Sequence, residues 1–277
     1  MTLTPTAGLT GLRWTVLDAM TIGRRNLLRY LRVPQLLVFS SVQPVMFILL
    51  FNYVFGGAIR GIQAPKYIDF LVPGILAQTV LFGTVNTGMG LAEDLKGGMI
   101  DRYRSLPMAR SAVLAGRTLS DLIRSAFILT LLLGVGFLIG FRPQTDLAGV
   151  LGALAVGLAF GYAWSWVMAT VGLLVRTTES IQAAVYLVIF PLAFASGVFV
   201  PTETMPAWLQ VFTEHQPVSV VTSALRGLIL GAGALSAGQT VSGQVALALL
   251  WSAAIMAVFA PLAVQLYRRS ASGDRQR

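Results

Sequence analysis

The sequence predicts an all-α integral membrane protein with six transmembrane helices, because charge is rare and is confined to short intervals. Six long windows contain no charged residue: 33–59, 70–92, 125–141, 147–175, 180–202 and 227–267. A helix that crosses the hydrocarbon layer of a bilayer needs roughly 20 apolar residues. Charged residues make up only 11% of the 277 residues, whereas a soluble domain carries about 25%. We therefore expect one membrane-embedded domain over residues 1–277.

The positions of Lys and Arg predict the orientation of the spans, because cytoplasmic loops carry an excess of these residues. Six spans place 16 basic residues on the side of both termini and leave four on the other side: Arg60, Lys66, Arg142 and Arg226. Both termini are therefore expected in the cytoplasm. The net charge of +9 is concentrated at the ends of spans, which argues against nucleic acid as a partner.

Residues 1–33 are predicted to form an amphipathic helix that lies in the membrane interface before the first span. At 100° per residue one stripe of this segment is apolar: Leu9, Leu12, Val16, Met20, Leu27 and Leu31. Arg25 and Arg29 lie opposite the stripe, and Arg13 and Arg24 flank it. Arginines in such a helix lie near anionic lipid headgroups. The alternative is a basic flank that only sets the topology of the first span.

The loop between spans two and three, residues 93–117, is the most polar part of the chain. It mixes both charge signs with apolar residues: Glu93, Asp94, Met99, Ile100, Asp101, Arg102, Tyr103, Leu106 and Pro107. Gly97 and Gly98 predict a helix end, and Pro107 ends a short second helix. Its apolar residues need a partner outside the membrane, so we expect this loop to dock on a cytoplasmic protein. The alternative is a solvated loop that packs on the base of the bundle.

Three charged residues follow at the start of span three. Arg117, Asp121 and Arg124 are spaced i, i+4 and i+7, so they share one helix face and are expected to pair there. This spacing favours a structural role over a functional one.

Span four carries a ridge of small residues: Gly149, Ala153, Gly157, Gly161, Ser165 and Ala169. Such a ridge allows another helix to approach closely, so it predicts helix packing.

The polar residues within the spans are amides and hydroxyls. Gln78, Asn86, Thr87 and Gln182 are candidates for a transport pathway, because polar side chains in a span face the bundle interior or a pathway. Hydrogen bonds between helices are the alternative role. No charged residue is expected deep in a span, and this argues against a carrier driven by an ion gradient.

The segment after span five is predicted to form short helices on the external side. Pro201, Pro206 and Pro217 divide it into pieces, and Trp208 and Phe212 give one piece an apolar face. These helices are expected to lie in, or dip into, the outer leaflet before the last span begins.

This segment reads SGVFVP, then MPAWLQ, then HQPVSVVTSALRG. It resembles the signature region of type-2 ABC transporter permeases, and is most similar to the daunorubicin/doxorubicin-resistance-type exporter permeases of actinobacteria. The resemblance implies that residues 1–33 contact a nucleotide-binding subunit and that residues 93–117 hold a coupling helix. It also implies that the external helices over 201–228 close the pathway, with these gate residues: Pro201, Pro206, Trp208, Phe212, Pro217 and Arg226.

The energy source is expected on a separate polypeptide. A Walker A loop needs Gly-Lys followed by Ser or Thr, and the only lysines, Lys66 and Lys96, follow Pro65 and Leu95. The chain is therefore expected to bind no cofactor itself, with ATP and Mg held by a partner ATPase. The expected complex contains two ATPase copies and a second permease subunit, identical or related, in the bacterial cytoplasmic (inner) membrane.

The sequence thus predicts a permease subunit that exports a hydrophobic or amphipathic substrate, such as a drug, a lipid or a glycolipid. An ion-coupled or facilitative carrier is the alternative, and it would require buried carboxylates and an inverted repeat. A membrane enzyme is disfavoured, because one His and no Cys leave few groups for catalysis.

Overall fold

The computed structural model of the chain describes residues 35–56, 67–97, 110–175 and 177–270. All regular elements in these residues are helical, which confirms the predicted all-α class. Four helical stretches are long and apolar enough to cross a membrane: Tyr67–Lys96, Gly116–Leu138, Leu147–Val175 and Val241–Tyr267. Three apolar helices are shorter: Ser40–Val54, Thr178–Phe194 and Pro217–Leu230. The first two coincide with predicted spans one and five, so a count of six remains a prediction.

The described residues contain ten α-helices. In chain order they are α1 (Gln35–Leu50), α2 (Tyr67–Gly83), α3 (Val85–Lys96), α4 (Arg110–Leu138), α5 (Leu147–Val175), α6 (Thr178–Ala184), α7 (Phe190–Phe194), α8 (Ala207–His215), α9 (Pro217–Leu230) and α10 (Val241–Ser270). A π-helical turn over Phe51–Phe55 extends α1, and a second over Val185–Ile189 joins α6 to α7. Short 3-10 turns at Thr202–Thr204 and Ala232–Ala234 lie before α8 and after α9.

Glycine and proline set several helix ends, as the sequence predicts. Gly97 caps α3, and its N–H donates to the Glu93 carbonyl at 2.8 Å. Pro217 begins α9, where its missing N–H leaves no hydrogen bond unmade. The same helix ends at Gly231, whose φ of 85° is strongly unfavourable for other residues.

The central helix is α5, which contacts α3, α4, α9 and α10. Its ridge of small residues packs as predicted. Gly157 lies against Leu225 of α9 and Leu129 of α4, and Gly161 lies against Val80 of α2. A Cβ at Gly161 would clash with Val80 unless that side chain moved, whereas a Cβ at Gly157 would make ordinary van der Waals contact with its neighbours.

A second close approach joins α3 to α5. A Cβ atom on Gly172 would lie 2.5 Å from the Gly88 carbonyl oxygen, and one on Gly88 would lie 2.8 Å from the Met168 carbonyl oxygen. The two backbones are therefore in direct contact. This contact fixes α3, and with it the start of the loop after span two, on the central helix.

Helix α10 packs on α5 and exposes much of its remaining apolar surface. Leu249, Leu250 and Val258 are among its exposed large side chains. By contrast, α2 buries most of its residues. The arrangement therefore has α2 and α5 inside and α10 at the periphery.

Candidate functional site

A break between α2 and α3 positions the polar groups at the middle of span two. The Thr84 hydroxyl donates back to the Leu81 carbonyl at 2.7 Å, and the helix is interrupted there. This leaves the Gly83 carbonyl without a helical partner. Two side chains donate to it instead: Asn86 Nδ2 at 3.2 Å and Arg124 Nη2, from α4, at 2.8 Å.

Arg124 belongs to a buried charged group. Its Nε lies 3.8 Å from Asp121 Oδ1, and the Thr87 hydroxyl donates to Asp121 Oδ2 at 2.5 Å. Both charged residues are buried within the Gly116–Leu138 span. They are the sixth and ninth of its 23 residues, so the expectation that no charged residue lies deep in a span stays a prediction. A buried pair is tolerated because each charge is compensated by the other and by hydrogen bonds.

The pairing predicted for the three charges of span three is only partly correct. Asp121 does face Arg124, but Arg117 pairs with Asp94 at the end of α3, with Nη1 and Oδ2 2.6 Å apart. Sequence spacing identifies neighbours on one helix, whereas this bond joins residues on two helices. The Arg117–Asp94 ion pair joins the end of α3, before the loop that follows span two, to α4, after that loop.

Beside Arg124 a cleft of about 340 Å³ opens between α1, α2, the start of α3, and α4. This volume is at the small end of the range for ligand sites. Its wall is both aromatic and polar, and six of the residues that line it are Gln43, Phe47, Gln78, Phe82, Asn86 and Arg124. Arg124 is the one charged residue among the described residues of this lining.

Gln78 is the least satisfied polar side chain in this lining. It is 2% exposed, and neither Nε2 nor Oε1 has a hydrogen-bond partner in the part of the chain that the structure describes. Buried polar groups are nearly always hydrogen-bonded. Leaving one unpaired costs about 1–3 kcal/mol. The amide therefore lowers stability, which is typical of a group kept for binding.

The four predicted pathway residues do not form one site. Gln78 and Asn86 line the cleft, but Thr87 donates to Asp121 and Gln182 is exposed on α6. Gln43 also lines the cleft, although it was not among the predicted pathway residues. As an amide within the charge-free window 33–59, it could have been predicted by the same criterion as Gln78.

The external segment is held by a hydrogen-bond network around Gln216. Its Nε2 donates to the Leu192 and Ala195 carbonyls at 2.9 and 3.0 Å, at the end of α7. The Thr213 hydroxyl donates to the Ala195 carbonyl as well, at 3.2 Å. These bonds satisfy carbonyls that the helix leaves free and attach α8 and α9 to the end of α7.

Arg226 connects the same segment to α2. Its Nε donates to the Phe70 carbonyl and its Nη2 to the Val198 carbonyl, both at 3.1 Å. The guanidinium carbon lies 3.5 Å from the centre of the Phe70 ring, within the range of a cation–π interaction. A Cβ on Gly74 would lie 2.6 Å from the Val198 carbonyl oxygen, so this chain segment rests directly on α2.

The other predicted gate residues lie at helix boundaries or on the surface. Pro201 and Pro206 precede the 3-10 turn and α8, and Pro217 is the first residue of α9. Trp208 is 76% exposed, and Phe212 is exposed beside it. A cavity of about 610 Å³ in this region is lined by Arg226 together with residues of the two turns. The gating role itself remains a prediction.

The predicted contacts with an ATPase are only partly described. Glu93 is exposed at the end of α3, and Asp94 pairs with Arg117. The remaining residues of that prediction lie outside the described residues: Met99, Ile100, Asp101, Arg102, Tyr103, Leu106 and Pro107. The interface-helix residues Arg13, Arg24, Arg25 and Arg29 also lie outside them.

Known proteins resemble this chain over most of its length. Residues 18–230 match the family model for the ABC-2 type transporter. The daunorubicin resistance ABC transporter permease protein DrrB1 of Streptomyces coeruleorubidus is 36% identical over 244 residues, which cover 88% of this chain and 83% of that protein. The probable doxorubicin resistance ABC transporter permease protein DrrC of Mycobacterium tuberculosis is 28% identical, with coverage of 90% and 87%. The putative transport permease ycf38 of Cyanophora paradoxa is 26% identical, with coverage of 76% and 73%.

Proposed function

The chain belongs to the ABC-2 type transporter family, and we propose that it moves a hydrophobic or amphipathic compound outward across the bacterial cytoplasmic membrane. It is a multi-pass membrane permease subunit of an ABC exporter. The observation that carries the proposal is the family match, which includes the external segment with Gln216 and Arg226. Permeases of this family are transport subunits and not ATPases.

We propose that ATP and Mg bind to a separate ABC ATPase, present in two copies, and that a second permease subunit completes the complex. Family membership implies the ATPase and, typically, the partner permease. The absence of any Gly-Lys pair in the sequence supports the assignment of ATP to another chain. The second permease is either a second copy of this chain or a related one.

The proposed topology has six spans and cytoplasmic termini. Besides the four long stretches, α1 with its π-helical turn covers Gln35–Phe55 and reaches roughly 31 Å at 1.5 Å per residue, enough for the hydrocarbon layer. The stretch Thr178–Phe194 would form span five. The shorter α8 and α9 are assigned to the external side, and α9 is proposed to be a re-entrant helix there.

Reporter fusions test this topology. A fluorescent protein joined after Arg277 is expected to be active in the cytoplasm, and alkaline phosphatase inserted between Pro201 and Pro206 is expected to be active outside, because basic residues favour the terminal side. Fusing each reporter at both positions provides the control. Equal compartment signals from the two sites would contradict the six-span topology.

The substrate class is proposed from the chemical groups that the spans present to the cleft. The names of two relatives record resistance to daunorubicin and to doxorubicin. Here we propose only the broader class, an amphipathic or hydrophobic compound. The buried charges Asp121 and Arg124 face each other, and amides and aromatic rings line the cleft. These groups suit a weakly polar compound that enters from the bilayer.

Reconstitution tests the energy source. Liposomes that contain this chain, its ATPase and any second permease are expected to lose a lipophilic cargo only when ATP is present. A variant ATPase without its catalytic glutamate is expected to abolish efflux, and a protonophore is expected to leave it unchanged. Efflux that persists without nucleotide and stops when the proton gradient is dissipated would instead indicate an ion-coupled carrier.

A further inference from the structure

We infer that the cleft around Gln78 binds the neutral hydrogen-bonding group of the substrate, such as a carbonyl beside a hydroxyl, and does not bind a cation. The inference rests on the proposed export function and deepens it by naming the chemistry recognised. It places recognition within a single permease chain, between α1, α2, the start of α3, and α4.

The unpaired amide of Gln78 is the first support. A primary amide carries two donor hydrogens and an acceptor oxygen. Both polar atoms of Gln78 are buried without a partner among the described residues, although the side chain lines a cleft. A ligand that offers an acceptor next to a donor would satisfy both atoms once a rotation of the side chain brings the amide to the cleft surface. Gln43 and Asn86 place further amides in the same lining.

The charges around the cleft favour a neutral group. Of the two charged residues nearby, Arg124 lines the cleft and Asp121 lies behind it, 3.8 Å from Arg124 Nε. Among the described residues, a cation in the cleft would meet the guanidinium and no lining carboxylate. An anion would compete with Asp121 and the Gly83 carbonyl, which already hold the guanidinium. A neutral polar group avoids both conflicts.

The remaining wall suits a flat apolar body. The rings of Phe47 and Phe82 line the cleft together with Pro44 and Ile128. Aromatic surfaces bind planar rings by stacked or edge-on contacts. The volume of about 340 Å³ admits one ring system with its polar group and excludes a whole large lipid.

A matched pair of probes tests the recognition. The full chain in lipid nanodiscs is expected to bind 3-hydroxyflavone, a neutral planar molecule with a hydroxyl beside a carbonyl, in a saturable manner. It is expected to bind 2-phenylnaphthalene, which has a similar shape and no polar atom, and tetraphenylphosphonium, a lipophilic cation, at least tenfold more weakly. Gln78→Leu should reduce the affinity for 3-hydroxyflavone roughly tenfold, as expected for one or two lost hydrogen bonds.

Stability without ligand provides the second readout. Because Gln78→Leu removes a buried amide that has no partner, it is expected to raise the thermal unfolding midpoint of the empty protein while weakening binding. If Gln78 served only to stabilise the fold, Gln78→Leu would lower the thermal unfolding midpoint instead. Gln265→Leu is the control, since Gln265 is exposed on α10 and its replacement is expected to leave the affinity for the probe unchanged.

Three outcomes would overturn the inference. They are a destabilised Gln78→Leu variant with unchanged affinity, preferential binding of tetraphenylphosphonium, and no saturable binding of 3-hydroxyflavone. None of them depends on ATP or on the ATPase. Failure of this inference is therefore distinct from failure of the export function, which ATP-dependent efflux tests separately.

Discussion

Arg226→Met is expected to destabilise the protein by roughly 3 kcal/mol or more and to release the external segment from α2. Methionine retains much of the length of the side chain but donates no hydrogen bond. The Phe70 and Val198 carbonyls would then lose charged donors at 3.1 Å in a buried site, where such bonds contribute about 1.5–3 kcal/mol each. The contact of the guanidinium with the Phe70 ring would also be lost.

Thermal unfolding of the purified chain in detergent measures this effect, and two variants sharpen it. Arg142→Met is the matched control, because Arg142 also donates to two carbonyls, those of Phe137 and Phe141, but is exposed and close to them in sequence. It is expected to change stability by less than about 0.5 kcal/mol. Arg226→Lys should lose less stability than Arg226→Met and more than Arg142→Met, since one ammonium group cannot donate in the two fixed directions of a guanidinium. Equal losses at Arg226 and Arg142 would contradict the anchoring role.

The position of Arg226 also shows what the sequence can predict and what it cannot. The sequence predicts that the residue follows short external helices, because prolines divide the segment and charge is absent after it. It does not predict that the side chain reaches Phe70, which lies 156 residues earlier. Contacts between distant segments depend on how helices pack, and no local spacing encodes them.

Helix packing is predictable from sequence only where small residues recur on one helix face. The ridge of α5 was predicted because small residues recur on one face, and Gly157 and Gly161 are indeed in contact with neighbouring helices. The contact between Gly88 and Gly172 was not predicted, because each glycine is unremarkable in its own helix. The cleft was missed in part for the same reason, since Gln43 meets Gln78 only through tertiary packing.

The sequence places Asp121 and Arg124 at the start of span three, but it does not predict which groups compensate them. The apolar helix begins at Gly116 and contains both charges. Their partners lie on other segments: Thr87 for the carboxylate and the Gly83 carbonyl for the guanidinium. A sequence pattern reveals that a charge is present but not whether a distant group compensates it.

Replacing Met99, Ile100 and Tyr103 together by serine is expected to abolish co-purification of the ATPase while membrane insertion stays intact. These residues lie outside the described part of the chain, but both ends of their loop are held. The Asp94–Arg117 ion pair joins α3 to α4 there, so the described residues on either side of the loop are held together. A few buried apolar or aromatic residues typically dominate an interface, with roughly 2 kcal/mol or more for each.

Loss of three such contacts would weaken the complex by about a thousandfold or more, which is enough to lose the ATPase during purification. The matched control replaces Trp208, Val211 and Phe212 by serine, since these are exposed apolar residues of α8, assigned to the opposite side of the membrane. That variant should retain the ATPase, because only the location of the lost apolar surface differs. Retention by both variants would mean that the loop is solvated and that the ATPase docks elsewhere on the cytoplasmic face. Loss from both would point to misfolding, which the amount of chain inserted in the membrane measures directly.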